Sequence, residues 1–176
     1  MELTDRDEVG GVARLVWDAI DSAEELDDLL GSLIGLDRIA RLRAATDHRP
    51  DRAWRGRWAE LATRFVNSGR GVGTINRYQA EKASRAATEL SDRLDRVPDE
   101  VILPHVGGIV TVVSPETASV HQSWPGRIRR AQRGMKAVRE ISAVINELRS
   151  ALGDLSRARM SLDLSRIRLD AEDPGT

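Results

Sequence analysis

The sequence predicts a mainly α fold: an N-terminal helical bundle, a small β-hairpin and a long C-terminal helix. Three observations predict it. Apolar residues recur at three- and four-residue steps over most of the chain. Ile141, Leu148, Leu155, Leu162 and Leu169 recur every seven residues. One stretch, VILPHVGGIVTVV at 101–113, is β-branched and lacks the helical period. A length of 176 residues allows one ordinary domain or two small ones. The expected division is a helical bundle at 4–95, a hairpin plus amphipathic helix at 98–170, and a tail at 171–176.

Thr4 and Asp5 are candidate caps for a first helix with Val9, Val12, Ala13, Val16 and Ile20 inward. SAEE at 22–25 has capping-box spacing, so a second helix is expected there. Its stripe is Leu26, Leu29, Leu30, Leu33 and Ile34, and Gly35 is its expected end. Ile39 and Leu42 mark a short third helix, and TDHRPDR reads as a loop. A fourth helix carries Trp54, Trp58, Leu61, Ala62 and Phe65 on one face, ending in NSGRG at 67–71. It holds three of the six aromatic residues, so it is expected to anchor the N-terminal core. Thr74 is the expected cap of a fifth helix at about 75–95, with Ile75, Tyr78, Ala86, Leu90 and Leu94 on one side. The Ala-rich, polar middle of that helix predicts shallower burial.

DRVPDE at 95–100 is a break. Two β-branched runs about Gly107 and Gly108 predict a hairpin with a tight primed turn. Pro104 donates no ladder bond, so the first strand is expected to be an edge or irregular, and IVTVV to be the strand free to pair. Ser114 and Pro115 predict a short helix to Gln122, and WPG at 124–126 predicts its break. From Arg127 one long helix is expected, with Val144, Ala151 and Ala158 completing the heptad seam. Gly153 weakens it by roughly 1 kcal/mol relative to Ala. The seam packs along its own protein, or else pairs as a coiled coil with a second copy or another protein.

Composition narrows the function classes. There is no cysteine, hence no disulfide framework, thiol nucleophile or zinc-thiolate site. No apolar run spans a membrane, and the acidic start is unlike a signal peptide, so a cytoplasmic location with no membrane partner is expected. A net charge of −1 argues against nucleic-acid binding driven by total charge. All but Lys82 and Lys136 of the basic residues are Arg. Charge is uneven: 1–30 is strongly acidic, whereas 121–140 carries Arg127, Arg129, Arg130, Arg133, Lys136 and Arg139 against Glu140. The two patches either meet within one fold or face water, or one of them meets a partner.

No catalytic constellation is proposed from spacing. His48, His105 and His121 lack metal-ligand spacing, although a hairpin folded back would bring His105 toward His121. GRGVG at 69–73 resembles a phosphate loop, but no strand precedes it and no Lys-Ser/Thr pair follows. The acid pairs Glu24/Asp28 and Glu25/Asp28 read as a solvated helix face. No metal or cofactor is expected. The partner-binding candidates are Arg127, Arg130, Arg133 and Lys136 on the basic helix start, and Leu148, Leu155 and Leu162 on the seam. A reading of GTINRYQAEKASR at 73–85 as a recognition helix, with the hairpin as a wing, is a further nucleic-acid possibility.

Residues 10–80 run from GGVARLVWDAIDSAEELDDLLGSLIGLDRIARL to RWAELATRFVNSGRG. This order resembles the effector-associated domains of bacterial conflict systems, small death-domain-like bundles that act as adaptors. Leu26, Leu29, Leu30, Leu36, Ile39, Trp58, Leu61, Phe65, Gly69 and Arg70 carry the resemblance, over about 40% of the chain. The chain departs from the pattern at TDHRPDRAWRGR, which is longer and more basic, and no leucine-rich closing helix follows Gly73. The resemblance implies homotypic helix-bundle recognition that brings an effector to a sensor. The function expected is therefore a non-enzymatic interaction or adaptor module, oligomeric or bound to another protein. The alternative is a nucleic-acid-binding accessory protein using Arg127, Arg129, Arg130, Arg133 and Arg139.

Overall fold

A computed structural model describes residues 1–47, 77–131 and 134–172, with side chains described except at 36–47 and 134–135. The elements are α1 (Arg6–Asp47), α2 (Arg77–Leu94), β1 (Glu100–Leu103), β2 (Gly108–Thr111), α3 (Pro115–Val120), a 3-10 turn (His121–Ser123), α4 (Trp124–Arg130) and α5 (Gly134–Glu172).

α1 starts as expected. Asp5 Oδ1 accepts from Glu8 N at 2.8 Å, and Glu8 Oε2 accepts from Thr4 N at 3.1 Å. It does not stop at Ser22 or Gly35, so the three short helices expected over 5–45 are one helix of 42 residues. The reason is phase. Val9, Val12, Val16, Ala19, Ala23, Leu26, Leu30 and Leu33 keep one buried stripe without a slip, and Ser22 is buried beside it rather than capping. Gly31 and Gly35 weaken the helix locally, but packing along its length outweighs propensity.

α5 lies antiparallel on α1. Arg6 pairs with Asp170 at 3.1 Å, Arg159 sits over Trp17, and Arg149 pairs with Asp27 at 3.0 Å. Each step along α1 is matched by an equal step back along α5. The heptad seam of Ile141, Val144, Leu148, Ala151, Leu155, Ala158 and Leu162 is buried. It is therefore used within the chain, and its small residues admit the close approach of α1.

α2 packs on α1 and α4, and Arg93 Nη1–H donates to the Asp18 carbonyl at 2.8 Å. Its buried face is Ala80, Ala83, Ser84, Ala87, Leu90, Ser91 and Leu94. Two expectations fail here. Tyr78 is exposed, and Ala80, Ala83 and Ala87 are buried with Ala86 partly so, because small side chains allow close helix packing rather than shallow burial. Ser84 Oγ–H donates to the Pro125 carbonyl at 2.9 Å, a bond an alanine would not make.

The hairpin forms in the register Val101↔Val110, Ile102↔Ile109, Leu103↔Gly108. The connection is the four residues 104–107, not a two-residue turn. Both glycines have positive φ, 102° at Gly107 and 132° at Gly108. Leu103 O accepts from Val106 N and Gly107 N, closing the loop. β1 is covered on its outer edge: Ile102 N donates to Met1 O at 2.8 Å, and Leu3 N donates to Ile102 O at 2.9 Å. Among the described residues no strand pairs with the outer edge of β2.

Ser114 caps α3, accepting from Thr117 N at 3.3 Å. WPG at 124–126 does not break the chain: Pro125 stands in the first turn of α4, where it needs no amide hydrogen. The break lies at Ala131, whose ψ of 74° leaves the helical region, so the single helix expected from Arg127 is two. Buried side chains from Leu3 to Leu162 form one cluster that draws on both segments expected as separate units. No described helix is long and apolar enough to cross a membrane.

Candidate functional site

The basic start of the C-terminal region is largely engaged inside the fold. Arg127 is mostly buried between α4 and α5. Its Nε–H donates to Glu140 at 2.5 Å, and Nη1–H and Nη2–H donate to Glu147 at 2.6 and 3.1 Å. These bonds to Glu147 raise the Arg127 pKa against the opposing effect of burial. Burial pushes Glu147 up, but the bonds from Arg127 and Trp124 and the nearby charge outweigh it and hold the carboxyl below its ordinary value. Arg129 pairs with Glu81 at 3.3 Å. Arg130 and Lys136 are exposed, Arg130 Nε–H donating back to Gly126 O, and Arg133 lies outside the described residues. Leu148, Leu155 and Leu162 are buried against α1, so in this arrangement they present nothing to a partner. Among the described residues, Asp27 of the acidic N-terminal face pairs with Arg149, while Arg127 pairs with Glu140 and Glu147 and Arg129 with Glu81.

The histidines are used separately. His105 Nδ1 lies 3.4 Å from Glu172, and its carbonyl accepts from Arg168. His121 is buried between Ser91 Oγ, 2.8 Å from Nδ1, and Asp95 Oδ1, 3.4 Å from Nε2. With the ring proton on Nε2, facing Asp95, Nδ1 would accept from the Ser91 hydroxyl; with it on Nδ1 the ring would donate to Ser91. The order Ser-His-Asp matches a nucleophilic triad, but Ser91 is buried and the cleft described below is not lined by it. The trio ties α2 to the 3-10 turn. Among the described residues no three His, Cys, Asp or Glu side chains converge as a metal site. His48, GRGVG at 69–73 and the Trp58 helix lie outside the described residues.

Among the described residues two surface features remain, one on the C-terminal third of α5 and one between α1 and α5. The first is apolar. Met160, Leu164 and Ile167 are 67%, 47% and 63% exposed. Steps of four and three put them on one face, and 100° per residue places that face opposite the buried Ala158, Leu162 and Ser165. Ile102 and Ile109, paired across the hairpin, are also exposed.

The second feature is a cleft of about 620 Å³ between α1 and α5, lined by Arg6, Asp7, Gly10, Arg14, Trp17 and Arg166, among others. Trp17 is 39% exposed, and the Arg159 guanidinium lies 3.4 Å from its ring centroid. Both features were legible but passed over. Trp17 stands one residue off the Val9, Val12, Val16 stripe, on the charged side of its helix. Met160, Leu164 and Ile167 keep a helical period of their own beside the heptad seam.

No family model, curated protein or solved structure matches the chain.

Proposed function

We propose that the chain is a non-enzymatic, cytoplasmic interaction module, an adaptor that receives a helix of another protein on the outward face of α5. The observation that carries this is the exposed stripe of Met160, Leu164 and Ile167. The inner face of α5 is already satisfied by α1, so this stripe adds nothing to the fold and leaves apolar surface in water. Its spacing is that of a helix-in-groove contact, in which anchors repeat at three and four residues. Burying each such side chain contributes roughly 1.5–3 kcal/mol when it is covered completely. The alternative, nucleic-acid binding through the start of the C-terminal helix, loses Arg127 and Arg129 to pairs within the chain.

A photo-crosslinking side chain at position 164, with position 85 as control, tests the reading in cells. The expected result is an adduct specific to 164 with one identified protein. That protein, purified, should bind the chain at least about tenfold more weakly after Leu164→Glu. No adduct at 164, or a partner indifferent to Leu164→Glu, overturns the reading. An adduct only with a second copy replaces it by self-association.

A further inference from the structure

We propose that the cleft between α1 and α5 is a carboxylate-binding site that recognises acidic side chains of the docked helix; this rests on the reading above that the face receives a protein helix. The neighbouring arginines are paired: Arg6 with Asp170, Arg149 with Asp27 and Arg159 with Asp163. Arg14 and Arg166 line the same cleft and have no ion pair among the described residues. Against these two guanidinium groups the cleft carries one carboxylate without an ion pair among the described residues, Asp7, so its net charge is positive. Each guanidinium is a planar fork suited to a carboxylate.

Register gives the spacing. Equal stepping of the antiparallel helices sets Arg166 level with position 10 of α1, one turn from Arg14. The two residues therefore differ in height along the helix pair by about 6 Å at their Cα positions. Acids four residues apart on a partner helix present their carboxylates at that same rise. On α5, Arg166 lies about 100° round the helix from Ile167, so the cleft and the apolar stripe occupy adjacent sides of α5, with the paired acids Asp163 and Asp170 between them. A helix with its apolar face on Met160, Leu164 and Ile167 would turn flanking acids toward Arg14 and Arg166. Gly10 and Gly11 leave the α1 wall without side chains, with nothing within 4 Å of where a Cβ would stand. The groove is open along its length, unlike the enclosing pockets that bury most of a small ligand.

The test uses the full chain and two fluorescein-labelled amphipathic peptides, each with Leu at i, i+3, i+4 and i+7, flanked by Glu in one and by Gln in the other. Fluorescence anisotropy is expected to show the Glu peptide binding at least about tenfold more tightly than the Gln peptide. Arg14→Glu and Arg166→Glu should each remove most of that advantage, while Arg85→Glu on α2 leaves it intact. Gly10→Met should also weaken the Glu peptide. It adds a good helix former in open space, so lost folding does not explain the result. Equal binding of both peptides overturns the carboxylate site; if that binding still depends on Leu164, the docking reading survives alone. Binding of inorganic phosphate or duplex DNA, dependent on Arg14 and Arg166, without binding of the Glu peptide also overturns it. Failure of both peptides to bind overturns this proposal and counts against the docking reading.

Discussion

Arg127 reaches from α4 across to Glu147 on α5 and donates to both of its carboxylate oxygens, at 2.6 and 3.1 Å. Trp124 Nε1–H donates to the same carboxylate at 2.8 Å. One acid thus fastens the short helix to the long one on the far side of the Ala131 break.

Glu147→Ala should destabilise the protein by about 1–3 kcal/mol, because it leaves the indole N–H and the two Nη donors of Arg127 unmatched, with only Glu140 still holding Nε–H. Chemical denaturation measures this, and a loss under about 0.5 kcal/mol would refute it. The Glu147 carboxyl is held below its ordinary value of 4.5 in the folded state. Its contribution is therefore complete above that value and fades as pH falls through the lower folded one. Between neutral and acidic pH, Glu147→Gln should flatten the fall in urea midpoint.

Leu155 and Leu164 lie on opposite faces of α5. Leu155→Ala opens a cavity against α1 and should cost about 2–5 kcal/mol. Leu164→Ala should change stability by no more than about 0.5 kcal/mol. Similar thermal shifts for the two would contradict the assignment of faces.

Ser165 is fully buried, and among the described residues its hydroxyl has no hydrogen-bond partner. Removing an unmatched buried hydroxyl is favourable, so Ser165→Ala should stabilise by about 1 kcal/mol. A lower melting temperature would show that the hydroxyl is in fact satisfied.

Ser91→Ala removes the hydroxyl partner of His121 Nδ1 in a buried setting and should cost about 1–2 kcal/mol. Equilibrium unfolding reads the cost. An unchanged midpoint would mean that this polar trio does not hold α2 to the 3-10 turn.

Gly153 lies inside α5, where an added Cβ would meet only the Arg157 guanidinium, at 4.0 Å. Gly153→Ala should raise stability by about 0.5–1 kcal/mol through helix propensity alone. A decrease, measured by thermal melting, would reveal a close contact at this position.

Elements whose signals are local could be read from the sequence. The Ser114 cap, the positive-φ glycines at 107 and 108 and the seven-residue seam all depend on near neighbours. Boundaries decided by distant packing could not. SAEE at 22–25 has the chemistry of a helix start, but the unbroken Val16, Ala19, Ala23, Leu26 stripe meets α5 and carries the helix through. The Ala131 break has no glycine or proline of its own to announce it. The engagement of the basic patch is hidden in the sequence for a related reason. Arg127 looks like a surface cation until Glu140 and Glu147, a turn or more into another helix, are folded against it. Arg14 and Arg166 are 152 positions apart in the numbering, and only the antiparallel register brings them to one cleft.

The pairing of α1 with α5 has a consequence for biogenesis. During synthesis Val9, Val12, Val16, Leu26 and Leu30 leave the ribosome more than a hundred residues before the part of α5 level with them. Until then α2 covers only part of α1, and the face meant for α5 stays open. Closing so long a loop is slow and entropically costly, so the core consolidates only once α5 has been made. A nascent chain stalled before α5 is the form of this protein that would depend most on a chaperone.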